Sequence, residues 1–221
     1  MTMRIGIEIN GVLRDTLEKF KQLYEKHLVD VDHEMFLGRT YNMDYSGNTE
    51  ETYNTNSFEY GIISDVNSLD LMKHYKFQDK DELYSFMYEE YTMELFGHAP
   101  STEINTFNLL NEIYYDLRNE YNLLIVSDEI GKSKPASLFF LSKFGCLIEK
   151  ILFYSEITKK QMWDEVDVLL TANPSLLNNV PNNKPVIKFE TAYNKDIQCD
   201  HKISTLSEFK LSLEKISKSY V

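Results

Sequence analysis

The chain has 221 residues and a formal net charge of −12, a length that suits one buried core with a modest insertion. No apolar run approaches the roughly 20 residues that a membrane span needs, so we expect no membrane partner. Such an acidic chain lacks the continuous basic surface that would neutralise a nucleic-acid backbone, which argues against a nucleic-acid partner. The net charge is still compatible with a small phosphorylated ligand, because one local positive site is enough to bind it.

The first predicted element is a buried strand over residues 5–9, where isoleucines stand at alternate positions. Asn10-Gly11 follows as a turn signal. Glu8 and Asn10 are polar residues at the carboxyl end of this strand, where open α/β sheets place their ligand sites. We therefore treat this strand end as the first candidate site.

Residues 15–120 are predominantly helical in pattern. Apolar residues at helical spacing predict helices over 15–28, 68–76, 79–96 and 101–120, and we interpret their apolar stripes as core. Residues 29–66 show little periodicity, and we assign no structure to them.

The second half alternates strands and helices in the manner of βαβ units. With the first strand they predict an α/β fold, a Rossmann-like doubly wound parallel sheet of about five strands with right-handed crossovers. The predicted strands are 122–127, 150–154, 166–170 and 185–189, and the predicted helices are 134–144, 174–179 and 205–220.

More than a hundred residues separate the first two core strands, whereas a crossover needs only about a dozen. We therefore expect an inserted helical cap subdomain that stands over the strand ends. The predicted division is a core of residues 1–16 and 105–221 with a cap of residues 17–104.

Residues 8–16, Glu-Ile-Asn-Gly-Val-Leu-Arg-Asp-Thr, resemble the first motif of the haloacid dehalogenase (HAD) superfamily, D-x-D-G-V-L-x-D-[TSF]. The resemblance is strongest to its 5'(3')-deoxyribonucleotidase branch. Glu8 and Asn10 stand where the family has its two aspartates, so the motif is degenerate at the two positions that carry its chemistry.

Later segments extend the resemblance over most of the core. Ser127 ends the second core strand as the serine or threonine of the second motif does, and Lys160, or failing it Lys159, lies in the region of the third-motif lysine. Residues 167–174 resemble the fourth motif without its acidic pair, and residues 191–195 resemble the family's P-Y-N-[RK] stretch.

The resemblance implies a definite role for each replaced residue. Glu8 occupies the position of the nucleophile that also binds Mg²⁺, but it carries an extra methylene, and a misplacement of about 1 Å costs roughly a hundredfold in rate. Asn10 occupies the position of the acid/base residue and cannot titrate, which forfeits roughly 10²–10⁴ in rate. Thr171 and Ala172 replace the acids that hold Mg²⁺, a cation that prefers carboxylate oxygens.

The anion-binding half of the motif set is retained. Ser127, Lys160 and the backbone N–H groups around Gly11 are candidates for a phosphate cradle. A strand-end hydroxyl and a surface lysine are the ordinary alternatives. We interpret Asp128-Glu129 as part of a solvated loop rather than as an acid/base pair, and the five histidines show no metal-ligand spacing.

We therefore expect a catalytically inactive HAD-like protein, without a cofactor, reused for interaction, structure or regulation with an unidentified protein partner. Residues 42–60 are either its partner-binding loop or a plain surface loop. The alternatives are a divergent Mg²⁺-dependent nucleotidase or phosphatase for a small phosphomonoester, and a nucleotide- or phosphate-binding module that does not hydrolyse its ligand.

The composition also gives an expectation about location. Met1–Arg4 lead directly into the first strand, and Cys146 and Cys199 lie in separate segments, which favours reduced thiols and no signal peptide. A sequence rich in Asn, Tyr, Lys and Ile and poor in Gly, Pro and Ala is typical of an AT-rich genome such as that of a phage or a low-GC bacterium. We expect a cytoplasmic protein, or a virion-associated one if it is viral.

Overall fold

The structure, a computed structural model, describes residues 2–30, 40–43, 49–52 and 58–219. Of the candidate partner-binding loop, residues 44–48 and 53–57 lie outside the described residues. In the part of the chain that is described, no helix is both long and apolar enough to cross a membrane.

Six strands form one parallel sheet in the order β5-β4-β1-β6-β7-β8, and β2 and β3 form a separate antiparallel pair. The strand bounds are β1 Met3–Glu8, β2 Thr40–Met43, β3 Thr49–Thr52, β4 Tyr121–Asp128, β5 Ile151–Tyr154, β6 Val168–Thr171, β7 Val186–Phe189 and β8 His201–Ile203.

Helices fill the connections between these strands. Three of them begin at side-chain caps: Asp15 accepts a hydrogen bond from the Glu18 N–H, Asp79 accepts one from the Glu82 N–H, and Asn173 accepts one from the Ser175 N–H. The helix bounds are α1 Thr16–Tyr24, α2 Lys80–Ser85, α3 Thr106–Leu117, α4 Ser133–Lys143, α5 Lys159–Glu165, α6 Pro174–Asn178 and α7 Phe209–Ser219.

The predicted Rossmann-like parallel sheet is confirmed, with one strand more than the five predicted. The additional strand, β8, has three residues, and only Ile203 among them is buried. A segment of three residues is too short to show the alternation of apolar and polar side chains that predicts a strand. It joins the sheet by parallel pairing with β7.

Apolar side chains cover both faces of the sheet, as a parallel sheet requires. One face packs against α3, α4 and α7, and the other packs against α5 and α6. Ile5 and Ile7 belong to the first face, whereas Gly6 faces the second, where a Cβ would lie 2.8 Å from Val166 Cγ1. Close packing of the β5–β6 connection explains why a glycine interrupts the isoleucines.

The insertion between β1 and β4 has an apolar cluster of its own, centred on Phe20 and Tyr24 of α1. Phe20 makes edge-on ring contacts with Tyr75 and with Phe86 at centroid distances of 4.8 and 5.4 Å. This cluster supports the predicted cap, and the exact division at residues 17 and 104 stays a prediction.

The helices of the insertion are more broken than predicted. The predicted helix over 79–96 is α2 followed by π-helical turns at Phe86–Glu90 and Met93–Gly97, and the predicted helix over 68–76 is a single 3₁₀ turn at Leu71–Lys73. Side chains that pack against several neighbours override a simple 3.6-residue period here.

The strand order locates the ligand-binding edge of the sheet. Counted along the core strands alone, the order is 3-2-1-4-5-6, and the chain reverses its winding direction between β1 and β6. In such sheets the crevice at the carboxyl ends of those two strands is the binding position. Glu8 ends β1 and Thr171 ends β6.

Candidate functional site

A cavity of about 680 Å³ lies over this reversal point, between the strand ends and the insertion. We call it the cap cavity. Glu8, Asn10 and Gly11 line it from the core side, and Tyr75 and Tyr88 line it from the insertion. Three of the residues predicted from the sequence therefore meet at one cavity, at the position that the fold predicts.

Glu8 lies at the floor of the cap cavity with no exposed surface. Its Oε1 accepts a hydrogen bond of 2.7 Å from the Tyr154 hydroxyl, and its Oε2 accepts one from the Thr171 hydroxyl. Burial raises the pKa of Glu8 to about 7, although both hydrogen bonds act in the opposite direction. Both oxygens of the candidate nucleophile are thus occupied by neutral donors.

The Asn10 side chain is held by its neighbours in the turn. Its Oδ1 accepts hydrogen bonds from Arg14 Nη2 at 2.6 Å and from Thr16 Oγ1 at 2.9 Å. An amide oxygen so engaged orients the arginine, and the residue carries no group that could exchange a proton with a ligand.

Arg14 is a fully buried arginine beside Asn10. Its Nη2 lies 2.5 Å from Glu129 Oε1, and its Nη1 donates hydrogen bonds of 2.7 Å to the Phe96 carbonyl oxygen and to Ser137 Oγ. The guanidinium carbon also lies 5.1 Å from the Phe96 ring centroid. One side chain therefore joins the β1 turn, α4 and the insertion through charge-assisted hydrogen bonds.

The interpretation of Asp128-Glu129 as a solvated pair is wrong for Glu129. This side chain is 1% exposed, and its Oε1 accepts hydrogen bonds from Ser127 Oγ and Ser137 Oγ as well as from Arg14. Asp128, in contrast, is half-buried and lines the cap cavity, and burial together with the neighbouring Glu129 raises its pKa to about 6.

Two groups proposed for the phosphate cradle donate to other parts of the protein. The Ser127 hydroxyl donates to Glu129 at 3.0 Å, and the Gly11 N–H donates to the Arg14 carbonyl oxygen at 2.9 Å. Gly11 lines the cap cavity, whereas Ser127 is fully buried and does not.

Neither candidate lysine of the third motif forms a hydrogen bond with Glu8 or lines the cap cavity. Lys160 is exposed and is not part of the cavity lining. Lys159 is more buried and lies 2.7 Å from Glu156 Oε2, and it donates to Ser175 Oγ at 3.2 Å. Of the two lysines, Lys159 is therefore the one that contacts the helix directly after β6.

Gly11 adopts a φ of +77°, a conformation that favours glycine. A Cβ on it would lie 2.0 Å from the Tyr193 hydroxyl oxygen and 2.8 Å from the Ala172 Cβ. The segment that contains Tyr193 is held by Asn194, whose Nδ2 donates to the carbonyl oxygens of Ala172 and Phe189. The small residues at positions 11 and 172 thus make room for a tyrosine ring.

The residues at the strand ends do not fit a bound Mg²⁺, which prefers several carboxylate and water oxygens in octahedral geometry. Thr171 supplies one hydroxyl, which donates to Glu8 and accepts the Asn173 N–H, and Ala172 supplies no side-chain donor. Within the described ranges, no cluster of three or more His, Cys, Asp or Glu side chains is arranged to hold a metal ion.

Four contact residues escaped the sequence reasoning: Arg14, Glu129, Tyr154 and Tyr193. An arginine directly after Val12-Leu13, in a segment otherwise expected to be buried, was the one signal available for the first of them. Tyr193 lies in the 191–195 stretch that the resemblance singled out, without a role assigned to it, whereas Tyr154 carried no signal because it contacts Glu8 across 146 positions of the chain.

No model of a known protein family matches the sequence, and no curated protein matches it either. Solved structures do match its fold. A protein described as a haloacid dehalogenase-like hydrolase from Burkholderia xenovorans LB400 superposes with a TM-score of 0.56 at 12% identity, covering 97% of this chain and 98% of that chain.

Two further structures agree. The HAD hydrolase YfnB from Bacillus subtilis, determined with bound magnesium, has a TM-score of 0.51 at 12% identity and covers 96% of this chain and 99% of its own. A haloacid dehalogenase-like family hydrolase from Xanthomonas campestris has a TM-score of 0.50 at 8% identity, with 99% and 97% covered. The chain therefore has the fold of the HAD-like hydrolases over nearly its whole length.

Proposed function

We propose that this chain is a HAD-fold protein that does not transfer phosphoryl groups and that uses its cap cavity for non-covalent binding. The observation that carries the proposal is the state of Glu8. Both of its oxygens accept hydrogen bonds from buried hydroxyls, those of Tyr154 and Thr171. Hydrogen bonds to both oxygens fix the orientation of this carboxyl group and lower its reactivity as a nucleophile.

Electrostatics support the same conclusion. A carboxyl group with a pKa of about 7 is half protonated at neutral pH, and the protonated form is not a nucleophile. Asn10 provides no proton for a leaving group. The missing metal ligands at positions 171 and 172 remove the cation that would neutralise the transferred group.

Motif resemblance favours the 5'(3')-deoxyribonucleotidase branch as the origin of this fold. Residues 167–174 and 191–195 carry that resemblance. Asn194 in the second segment is buried and binds the ends of β6 and β7 together. Because Asn194 has this structural role, it is retained in a protein whose site has no catalytic activity. Binding of a partner or a small ligand is then the remaining role for the cap.

One observation favours an enzyme as the second candidate. Glu8 and Asp128 both line the cap cavity, and their pKa values are raised to about 7 and about 6. Carboxyl groups that titrate near neutral pH are suited to general acid–base catalysis. A divergent phosphatase would use Glu8 as the attacking group.

Phosphate release separates these candidates. We would incubate wild type and Glu8→Ala with nucleoside monophosphates and p-nitrophenyl phosphate in the presence of Mg²⁺. The proposal predicts no release above the uncatalysed rate from either protein. Turnover by wild type that Glu8→Ala loses, while the exposed-site variant Asp164→Asn keeps it, would establish the enzyme and overturn the proposal.

A further inference from the structure

The cap cavity is acidic where a phosphate site would be basic. Carboxylates line it at Glu8, Asp15, Glu18 and Asp128, and among the described residues the lining includes a single cation, the exposed Lys21. Charge at the wall of a partly enclosed cavity concentrates ligands of the opposite sign. This lining favours a cation over a phosphate.

Several hydrogen-bond donors near the floor are already engaged, whereas the Thr191 hydroxyl at the cavity wall has no hydrogen-bond partner among the described residues. Thr171 donates to Glu8 and Ser127 donates to Glu129. Every nitrogen of the Arg14 guanidinium donates within the protein, the Nε to Asn10 and Thr16 and the two Nη to the acceptors described above. The charged donor nearest the floor is therefore unavailable to an anion, which would lie beside the Glu8 carboxyl group without a compensating cation.

Asp128 is the acceptor that lacks a direct partner, although the charge of Lys159 acts on it from a longer distance. Its half-buried carboxylate ends β4 at the cavity wall and makes neither a hydrogen bond nor an ion pair with the described part of the chain. Glu129 lies next to it with its Oε2 buried and without a hydrogen-bond partner. Glu129 is paired with Arg14, so Asp128 is the carboxylate that a positively charged group would stabilise directly.

The walls that the insertion contributes are aromatic and apolar. Leu71, Tyr75, Met87, Tyr88 and Phe96 line the cavity on that side, and Tyr75 and Phe96 are almost fully buried. Such walls hold an apolar body by burial and attract a cation to the faces of their rings.

We propose that the cap cavity binds a protonated amine carried on an apolar or aromatic body, with the ammonium group against Asp128. The proposal rests on the proposed function, because it uses the cavity for binding without chemistry. The aromatic side chains of the insertion enclose the body of the ligand.

Calorimetric titration with three ligands of similar shape tests this assignment. Phenethylamine, phenethyl alcohol and phenyl phosphate share an aromatic ring and differ in charge. We expect phenethylamine to bind most tightly and phenyl phosphate least. Asp128→Asn should weaken phenethylamine about tenfold, the effect of losing one charge-assisted hydrogen bond, and leave phenethyl alcohol unchanged.

Asp164→Asn is the matched control, because it makes the same change at an exposed position on α5 outside the cavity lining. Circular dichroism shows that each variant is folded. Tighter binding of phenyl phosphate than of phenethylamine, equal affinity of Asp128→Asn for the amine, or no amine binding at millimolar concentration would each overturn the inference. Release of phosphate from phenyl phosphate would instead overturn the proposed function.

Discussion

The two ends of the β1–β6 pair each carry an acidic side chain, and the two acids have opposite surroundings. At the amino end, Asp167 is 36% exposed and receives two side-chain hydrogen bonds from Arg4, which lower its pKa to about 2. At the carboxyl end, Glu8 is fully buried beneath two hydroxyls and its pKa is raised to about 7. One end of the pair favours the charged form of its acid, and the other end disfavours it.

The difference shows that the two ends of the strand pair are stabilised in different ways. At the amino end, an ion pair at the surface connects the two strands. The site end has two internal polar clusters beneath the cap cavity, one formed by Glu8 with two hydroxyls and one formed by Asn10, Arg14 and Glu129. Four predictions test this contrast, from the largest effect to the smallest.

Arg14→Met removes the only charged donor to Glu129 in the described residues. Because an uncompensated carboxylate then remains buried, we expect the free energy of unfolding to fall by about 3–5 kcal/mol, measured by urea denaturation. Arg14→Met with Glu129→Gln should recover part of this loss, since the unpaired charge is gone. A loss below about 1 kcal/mol in the single variant would show that the pair is solvated.

Glu8→Gln tests the raised pKa. Between pH 4.5 and 7 folded wild type binds a proton that the unfolded chain has released, so its stability falls as pH rises through this window. The contribution is complete below pH 4.5 and lost above pH 7, and it amounts to about 3 kcal/mol at most. Urea denaturation across this range should show a shallower slope for Glu8→Gln. An unchanged slope would contradict the raised pKa.

Gly11→Ala places a Cβ against the Tyr193 hydroxyl in a left-handed turn. We expect a loss of about 1–3 kcal/mol in thermal or urea unfolding. Gly131→Ala is the control, because its φ is +50° and its new Cβ meets nothing within 4 Å. Tyr193→Phe added to Gly11→Ala should restore part of the loss. Equal losses at both glycines would mean that Tyr193 does not lie over the turn.

Asp167→Asn tests the other end of the strand pair. A depressed pKa contributes stability that is present above the unfolded pKa near 3.8 and lost as pH falls towards 2. Because the side chain is partly exposed, solvent screening limits the effect to about 1 kcal/mol or less at neutral pH. Acid unfolding followed by circular dichroism should therefore begin at nearly the same pH in the variant and in wild type. A large shift would place this ion pair among the dominant contacts.

The sequence was sufficient for the features that depend on local pattern. Alternating isoleucines predicted β1, and the turn after it correctly brought Glu8, Asn10 and Gly11 to the cavity. The cluster of Asn10, Arg14 and Glu129 was out of reach, because Arg14 and Glu129 are 115 positions apart and burial of such a pair depends on the packed fold. Lys160 illustrates a further limit: one residue along a helix turns a side chain by about 100°, which separates it from Lys159.

Binding of Mg²⁺ tests the central claim most directly, because HAD-type phosphoryl transfer by the predicted mechanism needs that cation whatever the substrate is. We would titrate wild type and Glu8→Ala with Mg²⁺ by calorimetry, in the presence of inorganic phosphate and at neutral pH. The account predicts no saturable heat at millimolar Mg²⁺ for either protein. Saturable binding by wild type that Glu8→Ala abolishes would show that a phosphoryl-transfer centre is intact.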